Sequence, residues 1–395
     1  MIEIDDKAPP ELDRFRSRAL IVGIAGLALC GVGAIFDATQ FFRSYLLAYI
    51  FWIGVALGCW AILMLQHMSG GAWGLVIRRV LEAATRTFPI LAALFVPVAL
   101  GIPFIYEKWA DPAAVAANPM LQHKHFYLNI PFFIGRAIFY FAVWNLVSYL
   151  LNKWSREQDL TGERDLTRKL QGLSGPGLVL FGLTVTFASI DWVMSLDPGW
   201  YSTIFGMLFM GGQGLSAMAF TIAVIVLLSN YKPMSEVIQP RHLHDLGKLM
   251  LAFLMLWAYF AFSQFLIIWS GNIPEEVSWY TRRLHSSWRY IGLGLVLLHF
   301  ALPFVLLLSR DLKRNARTIS IVAVLILVMR YVDLYWLTGP EFHEGNFTVS
   351  WMDLIMPVGL GGVWLWYFAG QLKTRPLVPV QDPYLEDALS HSAGH

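Results

Sequence analysis

Six residues of this 395-residue chain can carry or hydrogen-bond a proton and yet sit inside long apolar runs. Asp191 lies in TVTFASIDWVMSLDP and Arg136 in FFIGRAIFYF. Arg330 and Asp333 stand three apart in MRYVDLYW, His299 falls in LVLLHFALPF, and Gln264 in FSQFLIIW. An ionisable group in hydrocarbon is costly, so each is a functional candidate by default. Carboxylates, a guanidinium, an imidazole and an amide within hydrogen-bond reach make a proton relay; near an interface the same groups hold a quinone head. Plainer roles stand beside these. Arg330 and Asp333 share a helix face and can neutralise each other, Arg136 with Asp191 makes an interhelical tie, and a lone His299 is a packing residue. Asp197, Asp353 and His67 fall near helix ends, where side chains reach water and charge is cheap. Asn145, Gln213, Ser216 and Ser263 are further deep polar residues.

Other chemistries lack their residues. The chain has no phosphate-binding glycine loop, no HExxH and no Ser–His–Asp pattern. Its two cysteines, Cys30 and Cys59, are too few for an iron–sulfur cluster or a four-ligand zinc site. CxxCH is absent, and His299 is the one mid-span histidine, so neither c-type nor bis-histidine haem is expected here. Electrons would have to come from a partner.

The elements that position these residues follow from composition. Residues AVILMFWYC make up 57% of the chain and DEKR only 14%, with a mean hydropathy of +0.55. Soluble domains carry about a quarter charged residues, so a soluble enzyme, a disulfide scaffold and a disordered regulator are excluded. Ten apolar runs approach the ~20 residues a membrane helix needs: 19–36, 45–66, 88–106, 131–151, 177–196, 202–228, 249–270, 290–309, 318–337 and 351–371. The expected fold is therefore all-α and polytopic. Of the 29 Lys and Arg, 21 fall on one side, six on the other and two inside spans. By the positive-inside rule both termini are cytoplasmic. Residues 1–18 form a polar tail with no signal-peptide pattern, 19–371 a single ten-helix domain, and 372–395 an extended, weakly ordered cytoplasmic arm. An offset of four helices keeps orientation, which leaves helices 2–5 open as a parallel repeat of helices 6–9.

Four stretches carry a resemblance: FDATQFFRSYLLAYIFWIGVALGCW (36–60), SIDWVMSLDPGWYSTIFGMLFMGGQ (189–213), FSQFLIIWSGNIPEEVSWY (262–280) and LHFALPFVLLLSRDLKRN (298–315). They resemble the ActF-type membrane subunit of bacterial alternative complex III, a quinol:cytochrome c or quinol:oxidase oxidoreductase, within the NrfD-like, polysulfide-reductase membrane superfamily. The resemblance runs over essentially the whole chain. It implies two four-helix bundles, helices 2–5 and 6–9, flanked by helices 1 and 10, in the bacterial inner membrane. It implies as partners an ActC-like paralogue, an iron–sulfur subunit, multihaem and monohaem cytochromes c, small membrane subunits and in some cases a terminal oxidase. Haem c and iron–sulfur clusters would belong to those partners, and quinol oxidation would sit at the ActC-like subunit. The matching positions are Asp191 and Asp197 in DWVMSLDP, Gln264 in FSQFL, Glu275 and Glu276 in GNIPEE, and His299 in LHFALPF.

The leading expectation is a cofactor-free subunit that scaffolds redox partners, with proton passage through Asp191, Arg136, His299, Arg330, Asp333 and Gln264 as its open role. Three other readings compete with it. The chain holds a quinone itself, between Trp269 and Arg289 and at the outer end of helix 5. It is a stand-alone transporter, which would need paired Gly or Pro interruptions; Pro303 and GMLFMGGQG are the nearest candidates. Or it is purely structural, each buried charge an internal tie. Trp200, Tyr201, Trp269, Trp279, Tyr280, Trp336 and Trp351 read as an aromatic belt. Nothing points to nucleic acid.

Overall fold

The computed structural model describes residues 9–343, 345–379 and 381–382. Among them the regular structure is helical, with no strand. Ten helices are long and apolar enough to cross a membrane: α1 (Glu11–Phe36), α2 (Ala38–Ser69), α3 (Arg78–Leu100), α4 (Ile130–Thr161), α5 (Arg164–Leu196), α6 (Phe205–Leu228), α7 (Pro240–Gly271), α8 (Trp288–Leu308), α9 (Ala316–Phe342) and α10 (Trp351–Leu372). This is the signature of a multi-pass membrane protein.

The ten apolar runs locate all ten helices but understate several. α4 continues to Thr161 and α7 starts at Pro240, because hydropathy marks only the stretch that suits hydrocarbon while the hydrogen-bonded helix runs on. The third run, expected at 88–106, belongs to a helix that begins ten residues earlier at Arg78 and is cut into short segments near Pro89, Pro97 and Pro103. Proline removes a backbone donor and clashes with the preceding turn. The link from α3 to α4 is itself helical: Asp111 and Asn118 cap short helices that open on Pro112 and Pro119.

α2 and α6 occupy the centre. In its most apolar window α2 is 89% buried and α6 78%, against 22% for α1, α7 and α8. A helix apolar all round suits the middle of a bundle. α2 packs on α3, α5, α6, α9 and α10; α4 bridges α3 and α5; α6 packs on α7 and α9, with α8 between those two. α1 lies along α10 through facing glycines, Gly23 and Gly26 against Gly359 and Gly362. A Cβ on Gly26 would stand 2.9 Å from the Gly359 Cα, so only glycine lets these backbones meet. The glycines of α6 do not break the helix. A Cβ on Gly212 would fall 2.2 Å from the Arg330 Cζ; the bare backbone there seats that guanidinium.

Candidate functional site

Two buried charged clusters face each other across the α2–α6 centre. In the first, Asp191 is fully buried in α5 and accepts from Arg136 Nε and Nη2 of α4 at 2.8 Å each. This is the bidentate geometry that a guanidinium fork and a carboxylate share. Tyr140 donates to the same carboxylate at 2.7 Å, and Arg136 also reaches the Tyr127 carbonyl at 3.0 Å while lying over the Tyr127 ring. Both carboxylate oxygens are occupied, so the pair ties α4 to α5. The next turn is fixed as well: Tyr106 donates to the Trp192 carbonyl, and Trp109 to that of Ser195.

The second cluster lies among α7, α8 and α9. Arg330 and Asp333 form the intrahelical pair that their spacing predicts. Trp257 of α7 donates to Asp333 at 3.1 Å, and its ring meets the His299 ring edge-on with centroids 4.2 Å apart. His299 is wholly buried, and neither ring nitrogen has a hydrogen-bond partner. It sits in a π-helical turn, Leu295–Ala301, just ahead of Pro303; such turns often mark functional positions in helices.

Between the clusters stands Gln213 of α6, buried, with its Oε1 unpartnered. Two cavities of about 10 Å³ meet at this residue, each with room for about one water. One extends past Ser189 and Trp192, beside Asp191; the other reaches Ser216 and Arg330.

The structure therefore gathers five of the six candidates into two groups, Arg136 with Asp191 and His299 with Arg330 and Asp333. Gln264 stands apart, buried and accepting from Ser202 at 3.3 Å. Tyr140 and Trp257 escaped sequence reasoning, since an aromatic in a membrane helix gives no sign of where its polar tip points. The expectation of cheap interfacial charge fails at two positions. Asp353 is buried, accepting from Ser44 at 2.6 Å and from the Ser350 amide at 2.9 Å in a capping box that starts α10. His67 is buried as well, whereas Asp197 is partly exposed and pairs with Arg282. The aromatic belt is also only partial. Trp269, Tyr201 and Trp351 are exposed, but Trp200 and Trp279 are buried and stacked 4.8 Å apart. Within the Trp269–Arg289 stretch, buried Arg283 donates to the Trp279 and Leu337 carbonyls and to Glu341. Burial pushes the Arg283 guanidinium down to about 9, against the pull of Glu341.

A third cluster, at the basic end of the bundle, was missed. Glu82 is buried in α3 and accepts from Arg78 at 3.0 Å, Arg79 at 2.6 Å, Arg375 at 3.1 Å and Ser155 at 2.6 Å. Asp159 pairs with Arg79, and Asp382 with Arg78 at 2.5 Å, so three acids balance three arginines. The spacing of Arg78, Arg79 and Glu82 is that of helical neighbours and could have revealed the core of this network. The first residues of the C-terminal arm, expected to be weakly ordered, are packed against it. Arg375 donates to the Asn152 carbonyl at 2.7 Å, and Leu377 and Val378 are buried. Residues 383–395 of that arm, and residues 1–8 of the N-terminal tail, lie outside the described residues.

A scan against protein-family models and a search of the curated proteins return no match for this chain.

Proposed function

We propose that this chain is an ActF-type integral membrane subunit of a respiratory quinol-oxidising complex, alternative complex III, in the bacterial inner membrane with both termini cytoplasmic. On this reading α2–α5 and α6–α9 are two four-helix bundles, flanked by α1 and α10. The chain scaffolds the ActC-like, iron–sulfur and cytochrome c subunits, which carry the electrons, and passes protons between two polar half-paths.

One observation carries the proton role. Arg136–Asp191 and Arg330–Asp333 are buried ion pairs contributed by α4–α5 and by α9, and Gln213 of α6, its Oε1 unpartnered, stands between them with a one-water cavity toward each. Asp191 and Arg136 serve one half-path; Arg330, Asp333 and His299 serve the other. His299, whose ring nitrogens have no hydrogen-bond partner, is the group whose replacement tests the path. The transporter reading has less behind it. Interruptions fall in α3 and α8, whereas the repeat counterpart of α3 is α7, an unbroken 32-residue helix; paired breaks in corresponding helices are what that reading needs.

The test is a mild-detergent pull-down of the tagged chain from native membranes, with a haem c absorbance spectrum and peptide identification. Cytochromes c and an iron–sulfur protein in fixed ratio are expected; a colourless, partner-free chain overturns the proposal. In the assembled complex His299→Phe should keep composition and quinol oxidation while lowering proton translocation per electron. Unchanged translocation removes His299 from the path.

A further inference from the structure

At the basic end of the bundle, a cleft of about 1060 Å³ opens between the start of α3, the second half of α4 and the end of α10. Four cations line it: Arg86, Lys153, Arg156 and Arg375. Arg375 is matched by Glu82, and Arg86 is held by the Gln371 carbonyl at 2.8 Å and by Thr374. Lys153 and Arg156 are exposed and make no ion pair with the described residues, and Glu157 is the one acidic residue in the lining. The cleft thus carries net positive charge that the protein itself does not cancel.

Two further observations give this charge a direction. Ser148 and Asn152 also line the cleft; both are buried, and Ser148 Oγ and Asn152 Oδ1 have no hydrogen-bond partner. Buried polar atoms of this kind normally find one. Toward the middle of α4 the wall is apolar and uncovered: Leu146 and Tyr149 are both more than half exposed on a membrane-spanning helix. A ligand that fits must be anionic at one end, offer hydrogen bonds below that end, and lay hydrocarbon along α4.

We infer that this cleft binds an anionic glycerophospholipid. Its phosphodiester would sit between Lys153, Arg156 and the Arg86–Arg375 pair, and its glycerol hydroxyl or ester groups would meet Asn152 and Ser148. One acyl chain would lie over Leu146 and Tyr149. Basic pockets between membrane helices are known to recognise lipid head groups in this way. The site stands on the fold alone and does not depend on the respiratory assignment.

Native mass spectrometry of the chain in dodecyl maltoside, with any native partners retained, tests it. After exchange into micelles doped equally with phosphatidylglycerol and phosphatidylcholine, wild type should keep about one phosphatidylglycerol in preference. Lys153→Gln/Arg156→Gln should weaken that binding roughly 30-fold. Both side chains are exposed, so its melting in phosphatidylcholine-only micelles should match wild type; if the double variant does not purify, Arg156→Gln alone should lose about fivefold. Arg310→Gln/Arg314→Gln, on the α8–α9 link at the same end, should retain the lipid. Equal retention by wild type and variant overturns the inference, as does equal loss in the control. Displacement by millimolar inorganic phosphate would make the site one for free phosphate, and the lipid assignment would fall.

Discussion

Asp191 shows what a buried carboxylate needs in a membrane helix. Both of its oxygens are engaged, by Arg136 and by Tyr140, so the charge is cancelled and hydrogen-bonded together. Breaking one partner of a buried pair costs more than the pair contributes, because the remaining charge stays desolvated. Asp191→Asn should therefore lower stability by about 3–5 kcal/mol, read as thermal unfolding in detergent. Asp191→Leu with Arg136→Met should recover most of that loss; an Asn variant that melts like wild type would show that the tie is not structural. Tyr280, in the helix Pro274–Leu284 between α7 and α8, gives a pH test. Burial pushes its phenol up to about 12, with Gln264 pulling the other way. The unfolded chain releases this proton near 10, so the native state binds more protons between pH 10 and 12, and stability falls as pH rises through that window. The loss is about 3 kcal/mol in full. Tyr280→Phe should make the alkaline fall in unfolding midpoint shallower over those two units, and a variant that falls as steeply as wild type would refute the assignment.

Among the elements, α1 is the one whose attachment rests most on glycine. Its most apolar window is only 22% buried, and it meets α10 where a Cβ on Gly359 would stand 2.9 Å from the Leu27 amide. Close backbone approach replaces the hydrophobic drive that is missing when lipid is as apolar as leucine. Gly359→Leu should push α1 outward and destabilise the fold by about 1–3 kcal/mol. Gly31→Leu, where a Cβ meets nothing within 4 Å, should leave melting unchanged. Equal melting of the two variants would mean that α1 is held by other contacts. α3 and α8 depart from regular helix, one through its prolines and the other through its π turn. In α8 the irregular turn carries His299, while α3 carries Glu82 in the straight segment before its breaks.

For the whole molecule, the charge distribution predicts a topology that labelling can check. Cys30 and Cys59 are both buried, so introduced cysteines report on a quiet background. Arg168→Cys at the start of α5 should react with a membrane-impermeant maleimide only in inverted vesicles. Asp111→Cys, on the α3–α4 link, should react only in right-side-out vesicles. Both positions are exposed. The reversed pattern would invert the orientation and put the three-arginine network around Glu82 on the outside.

The sequence alone determined the class, the number of spans and the list of residues worth suspecting. Hydropathy over about twenty residues and the cost of charge in hydrocarbon are local quantities that can be summed along a chain. The intrahelical pair Arg330–Asp333 was legible for the same reason, since three residues on a helix are spatial neighbours. What the tertiary structure decided was which residues from different helices meet. Tyr140 completes the Asp191 site, Trp257 joins His299 to Asp333, and Arg375 reaches back nearly three hundred residues to Glu82. Gln213 became notable only when packing left its oxygen without a partner between two small cavities. Such meetings depend on helix rotation and crossing, which backbone glycines such as Gly212 and Gly359 set by how closely neighbouring helices and side chains approach. That geometry is not written in the hydropathy of any single helix.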